Sequence, residues 1–374
     1  MTEKHLHIVT HDVPWPADYG GVVDLFCKLK ALHKQGIRIH LHCYTQGRPS
    51  QEELAKYCVS VNYYPRKKNM GSFSFHLPFI VNSRRDETLL ANLEKDNHPV
   101  LLEGIHCTYL LHNGALRNRK VIVRLHNAEF EYYRQLAKYE PKLFRKLYFL
   151  FESRLLKRYE HALACKALFL AVSEQDQQVY RTAFGATQVE YLPVFLPWQF
   201  AMGKEGKGSY CLYHGNLAVN ENEEAATWLL KEVFSNIAIP FVIAGKDPSE
   251  RLLRMAHANP NTCIVANPSE PEMQDMIAKA HIHILPSLNN TGVKLKLLNA
   301  LFNGRFCLVN QAAIAGTGLE PYCSLAGSAA AFQQKIRELY ETVFTEEEAH
   351  RRQGLLQTVY NNEVNAQRLI TFLS

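Results

Sequence analysis

The sequence predicts an α/β protein built from two Rossmann-like halves, and three observations carry that prediction. The chain opens with a strand, loop, helix and strand; a break of linker composition follows Pro197; and the same rhythm restarts at Tyr210. Its 374 residues suit two domains of ordinary size.

The first strand is His5–Thr10, followed by the loop HDVPWPADYGG. A helix is expected over Val22–Lys34, where Val22, Leu25, Phe26, Leu29 and Leu32 recur on one face. Gly36 stops it, and Ile37–Tyr44 is the next strand. Further strands fit Ser60–Tyr64, Pro99–Glu103, Val121–Leu125 and Leu168–Val172, with amphipathic helices between Glu131 and Lys166. The first domain, 1–197, ends near Tyr191–Pro197. The run GKEGKGS marks a linker over 198–209. The second domain restarts with strand Tyr210–Tyr213, a helix through Trp228 and Leu229, and strand Phe241–Ile243. Thr262–Val265, Ile282–Leu285 and Phe306–Val309 complete the pattern. Two such units are expected to face one cleft, with ligands at the carboxyl ends of their strands.

Composition narrows the function. Hydrophobic residues make up 47% and charged residues 21%, the balance of a globular chain. A net charge of +6 suits an anionic small molecule and does not call for nucleic acid. The nine cysteines show no zinc-ligand spacing, and their odd number argues against a disulfide framework, so they are expected to be reduced core residues. No apolar run approaches the roughly 20 residues of a membrane helix, and no leader precedes the first strand. A cytoplasmic protein is the expectation. Asp-x-Asp, H-E-x-x-H, P-loop and G-x-S-x-G motifs are all absent from the sequence, so neither metal nor cofactor is expected.

Four segments could carry chemistry. Gly20 and Gly21, between strand and helix, would let a ligand approach the backbone; a plain tight turn is the alternative. The run SLNNTGVKLKLLNALFNG, from Ser287 to Gly304, leads from a strand through Asn289, Asn290, Thr291 and Gly292 into a helix. Lys294 and Lys296 in its first turn oppose the helix dipole unless an anion is bound or they splay into solvent. The favoured reading is a diphosphate held by N–H groups with Lys296 as counter-ion. His126 and Asn127 close the strand VIVRL, with Glu129 nearby, where a site should lie. Arg84 joins Asn127 and Glu129 as an acceptor-side candidate. Finally, Tyr132–Arg158 is rich in Tyr, Phe, Leu, Lys and Arg. It could rest on an anionic bilayer, or pack on the core with a solvated basic face.

These residues resemble the retaining GT-B glycosyltransferases, specifically the group-one or family-four clan of bacterial cell-surface polysaccharide synthesis. The strongest piece is TGVKLKLLNALFNGRFCLV; PADYGGVVDLFCKLKAL, VIVRLHNAEFEYY, LAVSEQD and LYHGNLAVNENEEAATWLL support it. The resemblance implies an acceptor-side first domain and a donor-side second domain, 210–346, with residues 347–374 forming a helix that crosses back. It implies that Gly20 and Gly21 lie beside the donor diphosphate, that His126 lies near the reacting sugar, and that Gly215 and Asn216 open the donor domain. Gly292, Leu295 and Lys296 would begin the diphosphate-holding helix, and Asn267–Glu270 would lie near the base. The clan's glutamate pair falls at Thr291 and Asn299, neither acidic here. Asn299 can accept a ribose hydroxyl only through its amide oxygen.

The implied function is transfer of a hexosyl group from a nucleotide-diphosphate sugar to a glycan or lipid-linked acceptor, with retention and without metal. Peripheral contact with the inner face of an anionic membrane fits the basic helix. The alternatives are a catalytically impaired homologue that binds nucleotide-sugar or partners another transferase, and a nucleotide-sugar epimerase on the same scaffold.

Overall fold

A computed structural model, describing residues 3–18, 20–68 and 70–373, divides into two compact units. The first comprises Met1–Lys138, Lys142–Pro197 and Tyr360–Ser374, and the second Tyr139–Pro141 and Trp198–Val359.

The first unit holds seven strands: β1 His5–Thr10, β2 Arg38–Thr45, β3 Ser60–Pro65, β4 Val100–Glu103, β5 Val121–Leu125, β6 Leu168–Ala171 and β7 Val189–Tyr191. They form one parallel sheet in the order β3-β2-β1-β4-β5-β6-β7. Alternation along the strands supplies both faces. Ile8, Leu101 and Ile122 pack with Leu25, Leu29 and Leu32 of the helix Gly20–Lys34. Val9, Leu102 and Val123 face the opposite core with Leu156, Leu163 and Phe169.

The second unit repeats the plan with six strands: β8 Cys211–Asn216, β9 Phe241–Lys246, β10 Thr262–Ala266, β11 Ile282–Ile284, β12 Phe306–Val309 and β13 Ser324–Leu325. Their order is β10-β9-β8-β11-β12-β13, again parallel. In each sheet the winding reverses beside the first strand, between β1 and β4 and between β8 and β11. Such reversals open a crevice at the strands' carboxyl ends.

Several expectations need correction. The first helix begins at Gly20, so Gly20 and Gly21 are its opening residues rather than a preceding loop. Tyr19, in the same motif, lies outside the described residues. Gly215 and Asn216 end β8 rather than forming a loop, because they pair in register with Gly245 and Lys246. The tail is not one helix: Glu346–Thr358 belongs to the second unit, and Asn362–Thr371 lies in the first. There Ala366, Leu369 and Ile370 join the core beneath Gly20–Lys34. All nine cysteines are free, but Cys165 and Cys263 are exposed rather than core residues.

The first sheet also buries a polar chain. His7 Nε2 donates to Asp96 (3.0 Å), and His7 Nδ1 lies 2.9 Å from His42 Nε2. His42 Nδ1 lies 2.8 Å from the Tyr64 hydroxyl, which accepts from Asn92 (2.9 Å). With Asp96 ionised, each link has one consistent donor when both imidazoles are neutral. Among the described residues, no helix is long and apolar enough to cross a membrane.

Candidate functional site

The first unit gathers its charged groups where β4 and β5 end. These neighbouring parallel strands pair Glu103 with Arg124 in register. Lys28, from the helix Gly20–Lys34, donates to Glu103 Oε1 at 2.7 Å and to Asp24 Oδ2 at 3.1 Å. Arg124 lies 3.4 Å from Asp24, and its guanidinium also donates to the carbonyls of Leu192 and Pro193. Asp24 Oδ1 accepts the Phe195 N–H at 2.7 Å. All four charged side chains are buried, so each needs its partners. Burial raises the carboxyls of Asp24 and Glu103. Lys28, with Arg124 at Asp24 and His126 at Glu103, outweighs burial and holds both below the usual carboxylate range.

His126 follows β5 immediately. Its Nε2 lies 3.2 Å from Glu103 Oε2, an ion-pair distance without an aligned hydrogen bond. Its ring meets His11 edge-on at 5.9 Å. Asn127 donates to Glu129 at 3.4 Å, a long bond. Burial pushes the Glu129 carboxyl up to about 7, so it is a weak anion for an acceptor. Asp24, Glu103 and His126 could each offer one ligand atom to a cation. Lys28 and Arg124 already balance the two carboxylates, leaving little net charge to attract one.

The second unit places its candidates at the carboxyl ends of β8 and β11. A Cβ on Gly245 would come 1.8 Å from the Gly215 carbonyl oxygen, so only glycine allows this approach of β8 and β9. A Cβ on Gly215 would lie 3.6 Å from Lys296 Nζ, which places the ammonium beside the end of β8. Lys296 donates to Asn222 Oδ1 at 2.9 Å and lies 4.9 Å from the Tyr213 ring centre. Burial lowers this ammonium to about 8, against the pull of Glu221.

The helix behind it runs Leu295–Asn303, one residue later than Lys294, which is its N-cap without a side-chain cap bond. The N–H groups of Leu295 and Lys296 therefore head the helix ahead of its first internal bonds. Lys294, the other first-turn cation expected to meet an anion or splay into solvent, folds back onto Asn289 Oδ1 (2.7 Å) and the Thr291 carbonyl. Gly292, at φ 62°, makes the turn before the helix in a conformation that favours glycine. Thr291 is buried, its N–H bonded to Asn289 Oδ1 at 3.2 Å. Asn290 Oδ1 is buried without a hydrogen-bond partner among the described residues. Asn299 Oδ1 accepts from Asn303 Nδ2 at 2.8 Å, which leaves one lone pair of the amide oxygen for a ribose hydroxyl. Asn216 bonds its own turn, accepting from Ala218 N at 3.1 Å.

Glu221, not singled out from the sequence, holds this loop. It accepts from Ser287 Oγ at 3.2 Å and from Asn289 Nδ2, 66 and 68 residues away. At the carboxyl ends of β9 and β10, Asp247 (φ 47°) and Asn267 (φ 53°) are both left-handed. Asp247 N donates to Asn267 Oδ1 at 2.9 Å. Such conformations persist where the surroundings impose them, often at binding sites.

Comparison with known proteins adds an independent line. Residues 208–342 match the family model described as glycosyl transferases group 1. An uncharacterized 44.6 kDa protein in the cps region of Klebsiella pneumoniae is 28% identical over 332 residues, covering 83% of this chain and 84% of that one. Sucrose-phosphate synthase from Thermosynechococcus elongatus superposes with a TM-score of 0.70 at 15% identity, covering 98% of both chains. Anabaena HepE, solved in complex with UDP and glucose, gives a TM-score of 0.64 at 12% identity over 99% of each. At these identities the structural likeness carries the fold, two parallel-sheet units of the GT-B type.

Proposed function

We propose, from the match of residues 208–342 to the group 1 glycosyl transferases and the GT-B fold, that the chain is a glycosyltransferase that moves a hexosyl group from a nucleotide-diphosphate sugar to a glycan or lipid-linked acceptor, with retention and without metal. The observation that carries this reading is Lys296. A part-buried ammonium stands at a helix start, beside Gly215, at the reversal of the second sheet. An anionic leaving group gains there from N–H donors, helix dipole and charge together.

In this reaction the sugar C1–O bond to the diphosphate breaks, and a C1–O bond to the acceptor hydroxyl forms on the same face. The hydroxyl proton passes to the departing phosphate oxygen. Lys296 and the N–H groups of Leu295 and Lys296 stabilise the leaving diphosphate. His126, oriented by Glu103, positions sugar or acceptor. Polysaccharide assembly is the setting supported by the relative in the cps region. An assay of nucleotide-sugar hydrolysis tests the chemistry. The released sugar should keep the donor's anomeric configuration, and excess chelator should leave the rate unchanged. An inverted product, or a rate restored only by added divalent metal, would refute this mechanism.

One observation favours a second reading, a homologue that binds the nucleotide-sugar without transfer. Thr291 and Asn299 stand where the resemblance puts glutamates, and Asn299 is engaged with Asn303. Nucleotide binding without turnover in the same assay would select it.

We also propose peripheral contact with an anionic membrane. Leu143, Phe144, Leu147 and Leu150 are exposed on the helix Leu143–Leu163, and Phe73 and Phe75 add to them through ring contacts with Phe151. Exposed Lys142, Arg145, Lys146 and Arg154 are interleaved with them. Such a face buries apolar groups at the headgroup boundary while its cations meet anionic lipid. Phe144→Ser with Leu147→Ser should abolish co-sedimentation with phosphatidylglycerol vesicles. Equal binding by the double variant would rule this face out.

A further inference from the structure

The first unit contains a second polar feature beyond the Glu103–His126 pair. A cavity of about 420 Å³ opens where β1, β2, β3 and β4 end, lined by His11, Asp12, Gln46, Arg66, Arg84 and His106, with Ile80 and Tyr133 completing it. The reversal of the first sheet, between β1 and β4, delivers His11 and His106 to it.

Its charge is unbalanced. Arg84 is buried, and all its hydrogen bonds go to backbone carbonyls: Nε and Nη2 to His11 (3.3 and 3.1 Å) and Nη1 to Ile80 (2.6 Å). Arg66 donates to Ser83 Oγ at 2.9 Å and to the Gln46 side chain, and stacks 5.4 Å from the Phe79 ring centre. Among the described residues, neither guanidinium has a carboxylate at ion-pair distance. Asp12 is the one carboxylate of the lining, and Arg48 lies 3.5 Å from it. Burial, then repulsion from Arg66, lowers Arg84 to about 10, the mark of a cation lacking a counter-charge.

Two imidazoles complete the lining as neutral groups. His11 and His106 stack at 5.0 Å, and among the described residues the buried Nδ1 of each has no hydrogen-bond partner. Burial foremost, with neighbouring cations, lowers both, His11 to about 3. Two fixed guanidiniums and two unpartnered imidazole nitrogens form a cradle that a neutral sugar alone does not answer. Guanidinium forks match phosphate and carboxylate oxygens in geometry as well as charge.

We infer that this cavity binds an oxyanion, a phosphate or a carboxylate carried by the acceptor sugar, through Arg66 and Arg84. The inference rests on the transferase reading for the word acceptor, but the anion site stands on the cavity itself.

Calorimetry on the full chain, with and without saturating UDP, tests it using glucose 6-phosphate, glucuronate and glucose as probes. At least one oxyanion should bind about tenfold or more tighter than glucose, the return expected from one charge-assisted contact. Which of the two binds separates phosphate from carboxylate. Arg66→Gln should remove most of that margin, and Arg84→Lys, which keeps the charge but loses the fork, should reduce it. Lys296→Ala should leave it unchanged while weakening UDP. The inference is overturned if neither oxyanion outbinds glucose, or if both arginine variants bind like wild type. Loss of UDP binding alone would sink the donor reading and leave this site standing.

Discussion

Lys28→Met should destabilise the first unit by about 3–5 kcal/mol, the usual result of removing one partner from a buried ion pair. In a unit of this size that lowers the melting temperature by roughly 10 °C. The cause is the two carboxylates left behind. Asp24 and Glu103 are buried, and among the described residues Lys28 is the one cation within ion-pair distance of both. Arg124 reaches Asp24 alone, at 3.4 Å. The internal control lies on the same helix. Lys34 pairs with Glu363 in solvent, both side chains more than half exposed, so Lys34→Met should cost under about 1 kcal/mol. Urea denaturation of both variants makes the comparison. Equal small losses would mean that the buried network is not held as described.

Acid should unfold the second unit first. His214 and His283 are buried on the neighbouring strands β8 and β11, and among the described residues His214 Nε2 and both nitrogens of His283 have no hydrogen-bond partner. Burial foremost lowers both below the ordinary 6.5, His214 to about 3. The unfolded chain therefore takes up these two protons as pH falls below 6.5, while the folded unit refuses them. Well below pH 6.5 each refused proton costs up to about 1.4 kcal/mol per pH unit, so the stability of this unit falls as pH falls through that window. The first unit is buffered against the same loss. His7, His11, His42 and His106 are lowered likewise, but burial raises Glu129 and Glu152 to about 7 and Glu160 well above its usual value. Those three carboxyls bind protons in the folded state first, so their contribution grows as pH falls toward 4.5 and opposes that of the histidines. A Trp15→Phe variant leaves Trp198 and Trp228 to report on the second unit by fluorescence. Its urea midpoint should drop sharply between pH 7 and 5. A flat midpoint would contradict the buried, neutral state of His214 and His283.

What the sequence made legible was local. The strand–helix alternation located both sheets, because each strand is a short apolar run bounded by turn residues. His126 and Lys296 stood out because each sits just past a strand end or at a helix start. The partners that give them meaning lie far along the chain. Glu103 reaches His126 across neighbouring strands, and Glu221 reaches Asn289 over 68 residues. Glu103 could have been flagged, since a charged residue closes the apolar strand VLLE. Nothing local marked Arg66, whose role depends on three other loops closing one cavity. The local bonds of Lys294 and Asn299 were not legible for a related reason. Spacing places a side chain on a helix end but does not say whether a nearer neighbour claims it, as Asn289 and Asn303 do.

In the proposed reaction, Lys296 and its helix start hold the diphosphate of a sugar donor. Nucleotide-sugar hydrolysis by wild type and Lys296→Ala, read beside UDP calorimetry on the same samples, tests it most directly. Wild type should bind UDP and turn over at least one nucleotide-sugar. Lys296→Ala should bind UDP at least tenfold more weakly and lose about a hundredfold in rate, the scale of removing one preorganised donor from a developing anion. UDP affinity and turnover unchanged in Lys296→Ala would refute this role for Lys296.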